Sequence, residues 1–397
     1  MSFSTLPLGY CTNVHPGRSV AEVLSGLRQV TLPVGRRVGR PISAGLWLSA
    51  PVIRELLGSP AVCEEFVQTL ANWELPCYTL NAFPYGDFHS ERVKEQVYLP
   101  DWTDPARLQY TLACARVLAR LLPPGGEGSI STVPLGFKAL ALREDFQAAC
   151  IAQLLTLSEH LQALEETTGR TIRLAIEPEP LCVLETTPET IAFFAELRQA
   201  AARRGLKEPV RRYLGVCYDV CHQAVEFESI GESLAALRAN DIRVNKVHIT
   251  CCVQLDNPAG NAAGRAALAA YVEGRYLHQT TAVGPSGAVL RRHDLEADFV
   301  ARPPAEFLNA ECWRVHFHVP VDAPDLGPLG TTRPQLREAL RAVRGFDYAP
   351  HLEVETYTWS VWQGQPGGDP TTRLIDGLSR ELFATWALLD EVTTTGE

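Results

Sequence analysis

The chain has 397 residues and a formal net charge of −10, with 46% hydrophobic and 21% charged residues. This acidic balance argues against nucleic-acid binding, because a negative surface repels the phosphate backbone. No apolar run approaches the roughly 20 residues of a membrane helix. The first residues also lack the basic and apolar regions of a secretory signal, so we expect a cytoplasmic protein without membrane insertion.

Short apolar runs alternate with longer amphipathic stretches along the chain. The runs predict nine strands, in chain order at residues 8–15, 42–49, 77–83, 130–136, 172–177, 214–220, 246–251, 315–319 and 352–355. Stretches with apolar residues at i, i+3 and i+4 predict helices at 52–57, 61–72, 106–121, 144–168, 189–204 and 233–238. Repeated strand–helix units imply parallel strands joined by right-handed crossovers. Eight such units close most naturally into a (β/α)8 TIM barrel.

Nine strands are one more than this barrel uses. The surplus lies between His248 and Glu355, which are 107 positions apart where one strand–helix unit is expected. Residues 257–304 carry Gly, Ala, Pro and charged residues without clear periodicity. We interpret residues 253–312 as a lid-like insertion between strands 7 and 8 of a single domain that spans residues 1–397.

The chain contains eleven cysteines, an odd number. Without an export signal, reduced thiols packed as small hydrophobic side chains are the expected state. The neighbouring pair Cys251 and Cys252 does not form a C-x-x-C array, so we favour structural cysteines over a zinc or redox site.

Polar side chains end four of the late predicted strands, at the carboxyl ends where TIM barrels carry their chemistry. These side chains are Glu177, Asp219, His248 and Glu355. Three carboxylates buried together would be very costly without a cation among them. Oxygen ligands with one imidazole suit Mn²⁺, our first expectation, and also Mg²⁺, Co²⁺ or Zn²⁺. The sequence therefore predicts a divalent metal site at the barrel mouth.

Six further side chains are predicted to contact a substrate, and another role is the alternative for five of them. They are His15, Trp47, Asn81, His222, His316 and His318. His222 serves either the metal site or the substrate. His316 and His318 share one strand face and either line the site or belong to a hairpin. Trp47 could stack on a sugar or fill the core, and Asn81 could be a loop residue.

At these residues the chain resembles the xylose-isomerase-like superfamily of sugar isomerases and epimerases. The family pattern has Glu-Pro at the fifth strand, Asp-x-x-His at the sixth, His or Gln at the seventh and Glu-x-aromatic at the eighth. The matching residues here are Glu177-Pro178, Asp219 with His222, His248, and Glu355 with Tyr357. The chain is also similar, over nearly its whole length, to the "metabolite traffic" proteins of the Ebo gene cluster (EboE type). Residues 8–15, 81–86, 314–320 and 351–359 carry that second resemblance.

The resemblance implies a metal-dependent isomerase or epimerase that moves a proton through an enediolate. Its substrate would be a small sugar-like or polyhydroxylated metabolite, and a homo-oligomer is compatible with the sequence. Glu177 and Glu355 would be the catalytic base and acid, and His222 would orient the substrate or water. The alternative is a non-catalytic metabolite-binding or trafficking protein of an Ebo-type pathway. A phosphodiester hydrolase like the endonuclease-IV relatives would need more early histidines and a basic groove.

Overall fold

The computed structural model describes residues 3, 5–361 and 368–394. Its strands, in chain order, are β1 (Gly9–Cys11), β2 (Ser43–Trp47), β3 (Thr79–Asn81), β4 (Glu127–Thr132), β5 (Thr171–Ile176), β6 (Leu214–Asp219), β7 (Val244–Ile249), β8 (Cys251–Asp256), β9 (Thr280–Val283), β10 (Val289–Arg292), β11 (Cys312–Val319), β12 (Asp325–Leu326), β13 (Leu329–Thr331) and β14 (His351–Val354). The α-helices are α1 (Val20–Gly26), α2 (Leu32–Val38), α3 (Ala50–Gly58), α4 (Pro60–Asn72), α5 (Pro105–Leu121), α6 (Phe146–Thr168), α7 (Thr187–Arg204), α8 (Lys207–Tyr213), α9 (Val220–Val225), α10 (Ile230–Ala239), α11 (Ala262–Leu268), α12 (Ala297–Ala301), α13 (Ala305–Leu308), α14 (Arg333–Arg344) and α15 (Pro370–Thr394).

Strands β1 to β7 and β14 pair in parallel and close into a barrel, with β14 between β1 and β7. Helices lie between the strands, so the predicted (β/α)8 TIM barrel is confirmed. The first strand is shorter than predicted, because the chain turns into a 3-10 helix at Thr12–Val14 directly after β1. That turn changes which side chains of this segment reach the barrel mouth.

Local sequence signals explain where the outer helices begin and end. In α7, the Thr186 side chain and Glu189 form a capping box that satisfies free backbone N–H groups of the first turn. The same helix ends at Gly205, whose φ of 74° is a left-handed conformation that glycine adopts without a steric penalty.

The segment between β7 and β14 forms a second, antiparallel sheet in the order β10-β9-β11-β8-β13-β12. The surplus predicted strand, residues 315–319, is part of its central strand β11. The sheet extends from Cys251 to Thr331, which is wider than residues 253–312. Lys94 Nζ, from a barrel loop, donates to the Tyr276 carbonyl at 2.6 Å and pairs with Asp294 at 2.7 Å. These contacts hold the insertion against the barrel, and its lid-like role stays a prediction.

A buried ion pair lies inside the barrel. Lys246 Nζ of β7 is 2.6 Å from Glu353 Oε2 of β14, and both side chains are fully buried. Gly45 of β2 leaves room for this carboxylate, since a Cβ built there would lie 1.2 Å from Glu353 Oε1. Glu353, two residues before Glu355, is thus paired with a cation in the interior.

Among the described residues, no helix is both long enough and apolar enough to cross a membrane. All eleven cysteines are free thiols, and all except Cys312 are buried. This agrees with the prediction of reduced, structural cysteines.

Candidate metal centre

The barrel brings four predicted side chains together at its carboxyl end. Glu177 directly follows β5, Asp219 ends β6, His248 lies in β7 and Glu355 follows β14. The sheet register sets Asp219 and residue 353 directly beside His248 on its two neighbouring strands. One ligand atom from each of the four lies within 4.8 Å of the others, and all four residues are buried. We call Glu177, Asp219, His248 and Glu355 the quartet.

One nitrogen stands at the centre of the quartet. His248 Nδ1 is 3.0 Å from Glu177 Oε1, 3.0 Å from Glu355 Oε2 and 3.5 Å from Asp219 Oδ2. A ring nitrogen carries at most one hydrogen, so it cannot satisfy three carboxylates. Within the part of the chain that the structure describes, Glu177 Oε2 and Asp219 Oδ2 have no hydrogen-bond partner. A divalent cation among these atoms would satisfy all of them, so the residues fit a metal ion.

Protein donors hold Glu355 Oε1 and Asp219 Oδ1, the second oxygen of two of the quartet carboxylates. Glu355 Oε1 accepts from Asn13 Nδ2 at 3.0 Å and from Asn81 Nδ2 at 2.6 Å. Asp219 Oδ1 accepts from Thr250 Oγ1 at 2.7 Å and from a backbone N–H at 3.1 Å. Asp219 and Glu355 therefore each have one oxygen held by protein donors and one that faces His248 Nδ1, the arrangement that orients metal ligands in proteins.

The far nitrogen of His248 also faces a carboxylate. His248 Nε2 is 3.2 Å from Glu353 Oε2, the oxygen that pairs with Lys246. A histidine ligand commonly gives its second N–H to such a group, which fixes the ring and its tautomer. The buried ion pair thus supports the ring that the quartet surrounds.

The quartet is strongly negative for a buried site. Burial raises the pKa of Glu177, and the neighbouring His248 only partly opposes this. Burial opposes ionisation of Glu355 too, but the His248 and His318 imidazoles lower its pKa to about 2. Burial also disfavours charge on His248, yet its acidic neighbours raise its pKa well above the usual value. The raised pKa of His248 reflects the negative potential of the surrounding carboxylates, and the same potential would attract a metal cation.

Three of the predicted substrate-binding histidines lie beside the quartet. His222 Nε2 is 3.1 Å from His316 Nε2 and 3.9 Å from Asp219 Oδ2. His318 Nε2 is 3.9 Å from the same Asp219 oxygen. His316 and His318 come from β11, so the second sheet supplies side chains to the barrel mouth.

The structure places His15 and Trp47 away from the quartet. His15 Nε2 is 3.4 Å from Tyr10 Oη, and the ring lines a different cavity. Trp47 Nε1 donates to the Pro84 carbonyl at 3.0 Å, and its ring packs against Phe88. Asn81, in contrast, contacts the quartet directly through Glu355.

A cavity that opens to solvent lies beside the quartet. Glu177, Glu355, Asn81 and His222 line its polar half. Its apolar half is lined by Phe83, Phe88, Leu277 and Tyr357. A ligand with both hydroxyl groups and an apolar part fits this division.

Sequence reasoning missed several residues of the site. Asn13 occupies the position expected for His15, because β1 ends early and the 3-10 helix turns Asn13 inward. Glu179 lies two residues after Glu177 and accepts from Tyr98 Oη at 2.6 Å and from Gln279 Nε2 at 3.3 Å. Burial raises the pKa of Glu179 to about 7. The Glu-Pro-Glu-Pro run at 177–180 was the available signal for this second carboxylate.

No family model matches the chain, and none of the curated proteins matches it. Solved structures do match along the whole chain. L-ribulose 3-epimerase aligns with a TM-score of 0.51 at 12% identity, covering 100% of this chain and 97% of that one. D-psicose 3-epimerase in the presence of D-fructose aligns with a TM-score of 0.50 at 13% identity, covering 97% and 99%. A xylose isomerase-like TIM barrel protein from Mycobacterium smegmatis in complex with magnesium aligns with a TM-score of 0.50 at 13% identity, covering 98% and 99%. The chain therefore has the fold of the xylose isomerase-like TIM barrels.

Proposed function

We propose that the chain is a metal-dependent isomerase or epimerase of a small sugar-like or polyhydroxylated metabolite. The observation that carries this proposal is the quartet, in which three carboxylates surround one imidazole nitrogen, and Glu177 Oε2 and Asp219 Oδ2 have no hydrogen-bond partner among the described residues. Two of the similar structures are sugar 3-epimerases, and a shared fold raises the prior for related chemistry without establishing it.

Glu177, Asp219, His248 and Glu355 would hold the cation. Three oxygen donors and one nitrogen favour Mn²⁺, with Mg²⁺, Co²⁺ and Zn²⁺ as alternatives. When bound, the cation supplies the positive charge that an enediolate needs. The buried pair of Lys246 with Glu353 would keep the His248 ring in place for this role.

Glu177 and Glu355 would move the proton, one as base and one as acid. Each lies 3.0 Å from His248 Nδ1, and both line the cavity. Asn13 and Asn81 fix one oxygen of Glu355 and leave the other free to act. Proton transfer at carbon needs a base held within hydrogen-bonding distance of the reacting group, and this geometry provides two.

Five of the six predicted substrate contacts divide into two groups, and the sixth, His318, lies beside Asp219 and is not among the residues that line the cavity. Asn81, His222 and His316 line the cavity with the quartet, and we propose that they bind substrate hydroxyl groups or a water molecule. His15 and Trp47 stand apart from this cavity, so any role for them needs a larger substrate.

A non-catalytic metabolite-binding or traffic protein of the EboE type is the second candidate. The observation in its favour is the aromatic part of the cavity, where the Phe88 ring lies 4.8 Å from that of Tyr276 and 5.5 Å from that of Tyr357. Such a surface suits a ligand less polar than a free sugar.

The test is the metal content of the purified full chain, measured by plasma mass spectrometry. We compare the wild type with Glu177→Gln and Glu355→Gln, and use the exposed Glu208→Gln as the matched control. A divalent metal that is lost in both quartet variants and kept in the control supports the site. A panel of ketoses and hydroxy-carbonyl compounds is then screened by NMR in D₂O for exchange of carbon-bound protons. A folded wild type that takes up no divalent metal would refute the enzyme proposal, and metal without exchange would favour the binding protein.

A further inference from the structure

One carboxylate that lines the cavity lies outside the quartet. Glu179 Oε1 accepts from Tyr98 Oη at 2.6 Å and from Gln279 Nε2 at 3.3 Å. Glu179 Oε2 accepts no hydrogen bond from the described residues, although the residue is only 4% exposed and lines the cavity. One oxygen of this carboxylate is therefore held by protein donors, and the other is available to a ligand that brings a donor.

The described part of the cavity wall offers no free ammonium or guanidinium group to that oxygen. Lys94 is the only lysine or arginine among the described residues of the lining. Its Nζ lies 2.6 Å from the Tyr276 carbonyl and 2.7 Å from Asp294 Oδ2. A third acceptor, the Glu273 carbonyl, lies 3.2 Å away. An ammonium group has three N–H donors, so these acceptors use all of them.

The charge at the barrel mouth also leaves a place for a cationic ligand. The quartet contributes three carboxylates, and Glu179 contributes a fourth. One divalent cation would offset two of these negative charges. A proton between His222 Nε2 and His316 Nε2, which lie 3.1 Å apart, would offset one more. One negative charge then remains in a buried site, where an uncompensated charge is costly.

The rest of the cavity wall favours a cationic group over an anionic one. Phe83, Phe88, Tyr276 and Tyr357 contribute aromatic rings to the lining. The negative face of such a ring attracts an ammonium group and repels a phosphate or carboxylate. Apolar walls also exclude water, which strengthens the attraction between an ammonium group and a carboxylate.

We propose that Glu179 determines the substrate class by binding an ammonium group of the substrate through Oε2. The substrate would then be an amino derivative of a polyhydroxylated metabolite, and phosphorylated or carboxylated sugars would be rejected. This inference rests on the proposed function, because the quartet would hold the reacting end of the same molecule.

Two histidines stand between Glu179 and the quartet. His316 Nδ1 is 3.5 Å from Glu179 Oε1, and His222 Nδ1 is 3.9 Å from Glu177 Oε1. The amino group would therefore lie several atoms away from the carbon that exchanges its proton. Glu179 thus selects the substrate and takes no part in the proton transfer.

The test uses three probes with one carbon skeleton: D-glucitol, 1-amino-1-deoxy-D-glucitol and D-glucitol 6-phosphate. Their dissociation constants for the full chain are measured by calorimetry at pH 8, where the amino group is protonated. We expect the wild type to bind the amino probe at least about tenfold more tightly than D-glucitol, because hydrogen bonds between charged groups are the stronger ones. The phosphate probe should bind more weakly than D-glucitol.

Glu179→Gln should bring the affinity ratio of the amino probe to D-glucitol down to about one, and leave the affinity for D-glucitol unchanged. The exposed Glu208→Gln is the matched control and should keep the wild-type ratio. Glu179→Asp keeps the charge but withdraws it by one methylene, so the ratio should fall between those of the wild type and Glu179→Gln.

An amino probe that binds the wild type no more tightly than D-glucitol would overturn the inference, and so would the absence of binding by all three probes. Neither result needs a variant that folds. A preference that survives in Glu179→Gln would overturn the role of Glu179.

The titrations are run on the metal-free and the Mn²⁺-loaded chain, which separates this inference from the proposed function. A preference for the amino probe in a chain that takes up no divalent metal would refute the metal site and keep the role of Glu179. Metal uptake without that preference would refute the role of Glu179 and keep the metal site.

Discussion

The buried pair of Lys246 and Glu353 makes a sharp prediction about stability. In Lys246→Met, the Glu353 carboxylate stays fully buried without the ammonium that lies 2.6 Å away. Removing one partner of a buried pair typically costs about 3–5 kcal/mol, because the remaining charge is uncompensated. We therefore expect the free energy of unfolding of the metal-free protein to fall by about this amount.

Replacing both partners should be less harmful. In Lys246→Met with Glu353→Leu no buried charge is stranded, and the largest remaining defect is that His248 Nε2 loses the oxygen 3.2 Å away. An unmet buried polar group costs about 1–3 kcal/mol. The double variant should thus be more stable than Lys246→Met alone. A double-mutant cycle should show a coupling energy of at least about 1 kcal/mol between Lys246 and Glu353.

The pair also determines how the stability of the protein changes with pH. Burial opposes ionisation of Glu353, but Lys246 lowers its pKa below the usual value. The pair therefore contributes stability above the unfolded carboxyl pKa, and this is lost as pH falls through the folded value. In Lys246→Met, the same burial raises the pKa of Glu353. The loss of unfolding free energy relative to the wild type should therefore grow as pH rises from 5 to 8.

Urea denaturation followed by tryptophan fluorescence, in the presence of a chelator, measures these quantities. Lys246→Arg is a control that keeps the charge but changes the geometry. A single variant that costs less than about 1 kcal/mol, or a double variant less stable than the single one, would refute the reasoning about an uncompensated charge.

Three further predictions use the same assays. Gly45→Ala places a Cβ 1.2 Å from Glu353 Oε1, so it should destabilise the protein by about 1–3 kcal/mol; unchanged stability would contradict this. Glu381 accepts from three donors in the loops after β11 and β14, and Glu381→Ala should cost about 3 kcal/mol by urea denaturation. Asn81→Ala removes a 2.6 Å donor to Glu355 and should weaken metal affinity about 10–100-fold in chelator competition, with little change in the metal-free melt.

The sequence was informative about the barrel for a physical reason. Apolar runs of five or six residues are what doubly covered parallel strands require, and the helices between them carry a clear 3.6-residue period. Because strand ends meet at one face, Glu177, Asp219, His248 and Glu355 could be placed near one another before any coordinates.

The second sheet and the finer geometry of the site depend on features that the hydrophobic period of the sequence does not show. The second sheet uses short strands such as β12 and β13, whose two or three residues show no recognisable alternation. Asn13, and not the predicted His15, reaches the quartet because of one tight turn after β1. The approach of His222 Nε2 to His316 Nε2 depends on hydrogen bonds from the other ring nitrogens to the Pro178 carbonyl and to Gln279 Oε1, both far away in sequence.

A single residue, Thr250, separates the barrel strand β7 from β8 of the second sheet. Its hydroxyl donates to Asp219 Oδ1 at 2.7 Å and accepts from the Cys221 backbone N–H at 2.9 Å. The junction has no spare length and is bonded on both sides, so the sheet cannot pivot at this edge. For protein engineering, the second sheet is not an exchangeable module: a transplant that cuts the chain at this point would disturb a quartet carboxylate along with the graft.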